Sequence, residues 1–116
     1  MISVSIKSNN EKRYLRLRVK GHSNQSERGK DIICASASIL AYTVAQTIKD
    51  MGKDKKLEIE PVIILKDGLA TVTCVCKTDE AYAEAFAAYN YAYTGYILLS
   101  HNYPDYVEIT TVGKAD

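Results

Sequence analysis

The chain has 116 residues, enough for one domain spanning 1–116 that buries roughly 65% of its unfolded surface and needs neither disulfide nor metal to stand. A net charge of +1, with 47% hydrophobic and 25% charged residues, excludes a disordered chain and a strongly basic nucleic-acid binder, so no direct nucleic-acid contact is required of it. Three cysteines, an odd number, suit a reducing compartment; we expect a cytoplasmic protein with no leader ahead of its first strand and no membrane contact.

Ile2, Val4 and Ile6 alternate with Ser3, Ser5 and Lys7, which predicts a strand with one apolar face. Asn9-Asn10 marks a turn, and Leu15, Leu17 and Val19 alternate with Arg16, Arg18 and Lys20 in a second strand. Gly21 to Lys30 is polar and reads as a loop. Asp31 is the expected N-cap of a helix in which Ile32, Ile39, Tyr42, Val44, Ala45 and Ile48 recur at roughly helical spacing up to Met51, with Gly52 as the expected C′ residue. Polar residues such as Ser36, Ser38 and Thr43 make this segment a poor membrane span. Leu57–Lys66 and Leu69–Lys77 predict a strand pair around Asp67-Gly68, a type I′ hairpin signal, with Pro61 marking an edge or a bulge. Thr78 caps a second helix running to about Leu99, with Tyr82, Phe86, Tyr89, Tyr93 and Tyr96 near one stripe. Tyr103-Pro104-Asp105 ends it, Tyr106–Val112 forms a last strand, and Gly113–Asp116 is expected to fray. The order β-β-α-β-β-α-β implies an α/β fold of the α+β type: a two-layer sandwich with a mostly antiparallel or mixed sheet and both helices on one face.

The chemistry concentrates between Gly21 and Ser38. With Asp31 as N-cap, Cys34 is the third residue of its helix, where first-turn amides and the positive helix end favour thiolate and offer an oxyanion site. A thiol nucleophile needs a base, and His22, at the end of the second strand, is the natural partner. Ala35 and its small neighbours leave room for a substrate backbone, and Ser38, four residues on, shares the helix face of Cys34. Gly21 and Gly29 flank the loop, which is expected to be mobile and to order on substrate, with Gly29 as a hinge. The competing reading makes Cys34 a core residue, the ordinary fate of a free cysteine.

Gly21-His22 followed by Gly29-x-Asp31-Ile32-x-Cys34-Ala35-x-x-Ser38 resembles the signature of the ribosomal-processing cysteine protease family, with Tyr103-Pro104 as a weaker match further on. Ser23, Ser36 and the polar run 24–28 depart from its common pattern. The resemblance implies that His22 and Cys34 are a catalytic dyad with no cofactor and no metal. It implies a homodimer whose substrate is a ribosomal protein precursor: the enzyme removes an apolar N-terminal extension from large-subunit ribosomal protein twenty-seven, cutting after an aromatic residue. The alternative of a different class is a non-catalytic, ribosome-associated binding module that uses the same groove.

Other residues admit plainer readings. His101 is a rival base or, more simply, a surface or helix-end residue. Cys74 and Cys76 lack the two-residue gap of structural zinc sites and are expected to pack in the core. The helix-two tyrosines are expected in the core, with a peptide groove or dimer interface as alternatives. Arg16, Arg18 and Lys20 read as a solvated sheet face.

Overall fold

The computed structural model describes residues 1–22 and 28–114, except for the side chains of 28–31 and 111–114. The elements run β1 (Ile2–Asn9), β2 (Tyr14–Gly21), α1 (Arg28–Lys53), β3 (Val62–Lys66), β4 (Leu69–Val75), α2 (Asp79–Asn102) and β5 (Val107–Lys114), in the expected order. They form one five-stranded mixed sheet, β3-β4-β2-β1-β5. All neighbours are antiparallel except β1 and β5, which the long crossover through the rest of the chain makes parallel.

Register follows from the period-two pattern. Val4 pairs with Val19, Ile6 with Leu17, Leu17 with Val72 and Leu15 with Cys74, so these apolar side chains share one face. That face is the core, closed by both helices. Ser5, Arg16, Arg18, Thr71 and Thr73 stand on the other, polar face. In β5 the register slips between Val4 and Ser5, so Thr110 is the extra residue of a bulge.

The helices bury small residues. α1 turns Ile33, Ala37, Ala41, Val44, Ala45, Ile48 and Met51 inward, and α2 turns Ala81, Ala85, Tyr89, Ala92 and Tyr96 inward. Alanines at these spacings let the two helices lie close together. Ile32, Ile39 and Tyr42, expected on the buried stripe, are instead 50–60% exposed, because the buried face runs one residue out of phase with them. Ile32–Lys53 has the length and composition to cross a membrane, yet its alanine-rich face is packed in this core. Tyr89 donates its hydroxyl hydrogen to the Val72 carbonyl at 2.8 Å, and Tyr96 donates to the Ala37 carbonyl at 2.8 Å.

Several boundaries differ from expectation. α1 begins at Arg28, so Asp31 is its fourth residue and not its N-cap, and Gly29 lies inside the helix and not in a hinge. The favourable helix backbone simply continues N-terminally past the polar residues. At the other end α1 runs beyond Gly52; Lys55, at φ 60°, is the left-handed residue, and the Lys56 amide closes on the Met51 carbonyl at 3.0 Å. β3 starts only after Pro61, which has no amide hydrogen to pair, and Leu57 makes a lone bridge to Cys76. Gly68 has φ 76° but Asp67 does not enter positive φ, so the hairpin turn is not type I′. Gly113 and Lys114 belong to β5 and not to a tail, because β1 offers them partners as far as Ser8. The expected mobile loop falls mostly on 23–27, outside the described residues, and its last residues, 28–30, are helical.

Candidate active site

β2 ends at Gly21, whose φ of 109° lets the chain leave the sheet sharply. A side chain there would also strike the Met1 carbonyl oxygen, so only glycine fits. His22 follows, half exposed beside the β3–β4 turn. Its Nδ1 lies 3.7 Å from Asp67 Oδ1. Next to the ring is Gly68, where a Cβ would come within 2.5 Å of Nε2 and 3.0 Å of Cε1. The turn is itself fastened to β2, because the Gly21 amide donates to the Gly68 carbonyl at 3.0 Å.

Cys34 approaches from the other layer. It is the seventh residue of α1, partly buried against the core, with its neighbour Ile33 fully buried. In that position its own amide bonds within the helix, and the unpaired first-turn amides belong to residues 28–31. The expected oxyanion site at the helix start therefore does not coincide with Cys34.

His22 and Cys34 line one cleft of about 100 Å³ between the N-terminal half of α1 and the β2, β3 and β4 ends of the sheet. Gly21 and Ser38 also line it. Ala35 does not; it is exposed, being turned about 100° round the helix from Cys34, and Ala37 and Ala41 supply the small-residue wall instead. Ile2, Val19, Tyr42, Leu65 and Leu69 complete mostly apolar walls. Gly29 and Asp31 are placed only as residues of the first turn of α1.

Sequence reasoning missed Asp67, Gly68, Tyr42 and Leu65 as neighbours of the site. Asp67-Gly68 was legible as a turn, but its place beside His22 depends on the pairing of β2 with β4, in which Lys20 meets Leu69. Period-two alternation does not specify which strands pair.

The other titratable candidates stand elsewhere. His101 is exposed in the last turn of α2 and is no part of the cleft wall. Cys74 and Cys76 are fully buried. The hydrogen bond between them, together with burial, pushes the Cys74 thiol up, which suits packing and not nucleophilic attack. Among the described residues no group of three or more His, Cys, Asp or Glu side chains is placed to hold a metal ion.

The family model of cysteine protease Prp matches residues 1–108. No curated protein matches the chain. Among solved structures, the ribosomal processing protease Prp of S. aureus in complex with a substrate peptide is similar at TM-score 0.68 and 20% identity, over 96% of this chain and 99% of that one. The same protease with a covalently linked product peptide is similar at TM-score 0.68 and 23% identity, over 96% and 99%. The SMU.848 protein of Streptococcus mutans is similar at TM-score 0.67 and 18% identity, over 97% and 95%. At these identities the likeness is one of fold.

Proposed function

The chain belongs to the Prp family of cysteine proteases, and from that premise we propose that it is a ribosomal-processing endopeptidase with Cys34 as nucleophile and His22 as general base. The observation that carries the assignment is the convergence of the two residues, from different layers of the fold, on one cleft. Two of the similar structures are of a ribosomal processing protease, one with a substrate peptide and one with a covalently linked product. A covalent product is what a thiol nucleophile leaves behind.

The reaction follows from the two groups. The imidazole takes the thiol proton as sulfur attacks the scissile carbonyl carbon. The tetrahedral intermediate collapses, the C–N bond breaks, and the departing amine takes the proton back from the imidazolium. A thioester to Cys34 remains. Water, deprotonated by the same imidazole, attacks it; the C–S bond breaks, and the acid and free thiol are released. Ser38, exposed four residues after Cys34 and on the cleft wall, is positioned to hydrogen-bond the substrate.

The substrate we propose is the N-terminal extension of large-subunit ribosomal protein twenty-seven, cut after an aromatic residue. The walls formed by Ile2, Val19, Tyr42, Leu65 and Leu69 suit an apolar segment of that kind. We further propose a cytoplasmic homodimer. An odd number of cysteines, three, suits a reducing compartment, and the exposed Ile32 and Ile39 on α1 give a second subunit an apolar surface to cover. Mass spectrometry of the precursor incubated with wild type and with Cys34→Ala tests the assignment. Cleavage by wild type alone is expected, with an unchanged melting temperature in the variant. Undiminished cleavage by Cys34→Ala would refute the nucleophile, and binding of the precursor without any cleavage would favour a non-catalytic module.

A further inference from the structure

We propose that the Asp67–Gly68 turn is the seat of the general base: Gly68 leaves room for the His22 ring, and the Asp67 carboxylate stands beside Nδ1 and draws the ring proton to that nitrogen. This rests on the peptidase reading above and adds to it a positioning element on a different hairpin.

Three independent features meet at this turn. Gly68 stands so close to the imidazole that any Cβ would come within 2.5 Å of Nε2. Its φ of 76° is a conformation that few side chains adopt, so the sequence has two reasons for glycine there. The Gly68 carbonyl is tied to the Gly21 amide at 3.0 Å, which fixes the turn to the residue preceding His22. Asp67 then holds its Oδ1 3.7 Å from His22 Nδ1. At that separation, and with both groups open to water, the pair is not a formed hydrogen bond and adds little to stability. Its effect is directional. A neutral imidazole carries its proton on one nitrogen, and the acceptor beside Nδ1 selects that nitrogen. A peptide lying in the cleft displaces water from the pair and strengthens the attraction. The carboxylate thus acts through His22, as a third group that orients the base. Lys66 precedes it on the same cleft wall. Its charge lies on the edge strand beside the turn and gives His22 no acceptor, so the acceptor role falls to Asp67.

The test uses the whole chain. Asp67→Ala, Asp67→Asn and Gly68→Asn are made in the wild type and in His22→Ala, and cleavage is followed on a fluorogenic apolar peptide with an aromatic residue before the scissile bond. Asparagine tolerates positive φ, so Gly68→Asn keeps the turn while placing a Cβ against the ring. In the wild-type background kcat is expected to fall on the order of 10-fold for Asp67→Ala and Gly68→Asn with KM nearly unchanged, the mark of a change in the chemical step. Asp67→Asn, which keeps an acceptor oxygen, is expected to lose less. In His22→Ala the same substitutions are expected to be silent, because a residue that acts through the imidazole has nothing left to act on. Equal losses in both backgrounds would overturn the inference. A second readout needs no substrate. Nitrogen-15 NMR of the His22 ring, with His101 as the internal comparison, is expected to show the Nδ1–H tautomer in wild type and a shift toward Nε2–H in Asp67→Ala. An unchanged tautomer would overturn the inference as well. Failure of the wild type to cleave would instead overturn the peptidase reading, and the NMR result would still decide the seating.

Discussion

His22 and His101 are the two histidines of the chain, and the fold treats them differently. His22 leaves the end of a sheet strand into the cleft that Cys34 lines, whereas His101 is exposed in the last turn of α2, away from that cleft. His22→Ala is therefore expected to lower turnover by roughly 100- to 10,000-fold, the range for a lost general base. His101→Ala is expected to leave it within about twofold, since its side chain is exposed on α2 and lines no part of the cleft. Steady-state rates on one peptide decide between them, and an inactive His101→Ala would mean that the wrong histidine has been paired with Cys34. The same scale shows what spacing can convey. Gly21-His22 and Cys34 are close in sequence, so a strand end and a helix face could be brought together on paper. Asp67 is 45 residues beyond His22 (67 minus 22), and only the β2–β4 pairing brings it back.

Both helices were legible as elements, yet their starts differ in kind. Thr78 has the backbone of a cap, φ −133° and ψ 164°, and its Oγ1 accepts the Ala81 amide at 3.1 Å. Asp31 has the chemistry of a cap but sits three residues inside α1. Thr78→Ala is expected to cost about 1 kcal/mol, as a lost N-cap does. Asp31→Ala is expected to cost a smaller amount, about 0.3 kcal/mol, by removing a negative charge from the positive end of the helix dipole. Urea denaturation of the two variants reads the contrast, and equal losses would restore Asp31 to the capping role. The phase of α1 was misread for a related reason. Large side chains dominate a hydrophobic pattern, but here Ala37, Ala41 and Ala45 are buried while Ile32 and Ile39 are exposed, because close helix packing selects for small volume and not for hydrophobicity alone. The strands were read more securely. In β1, β2 and β4 one face is core and the other wet, and a period of two records that directly. β3 lies at the sheet edge, and there the pattern carried no boundary; Pro61 set it instead.

The whole sheet places the two halves of the proposed site on parts of unequal stability. β1, β2 and β4 are interior strands, each paired on both sides, and Val4, Leu17 and Val72 within them are fully buried. β3 is paired on one side only, and Val62, Ile64 and Leu65 are substantially exposed along it. His22 issues from an interior strand, while Asp67 and Gly68 hang from the edge strand. Amides with few buried contacts around them exchange through local opening, and those of a fully paired core strand exchange only through global unfolding. The β3 amides are therefore expected to exchange with solvent far faster than those of β2 and β4 in the free protein. Leu65 and Lys66 at the end of β3 line the cleft, so a bound peptide contacts the least stable strand directly. Adding an apolar precursor peptide to Cys34→Ala, expected to bind without cutting, is expected to slow exchange in β3 and at Gly68 more than in β1, where binding acts by raising the global unfolding free energy alone. Hydrogen exchange followed by NMR with and without the peptide measures both expectations. Free-state protection of β3 equal to that of β4 would show that the edge is held by something other than its one neighbour. Protection that rises in β5 and not in β3 would place the peptide on the opposite side of the sheet from His22.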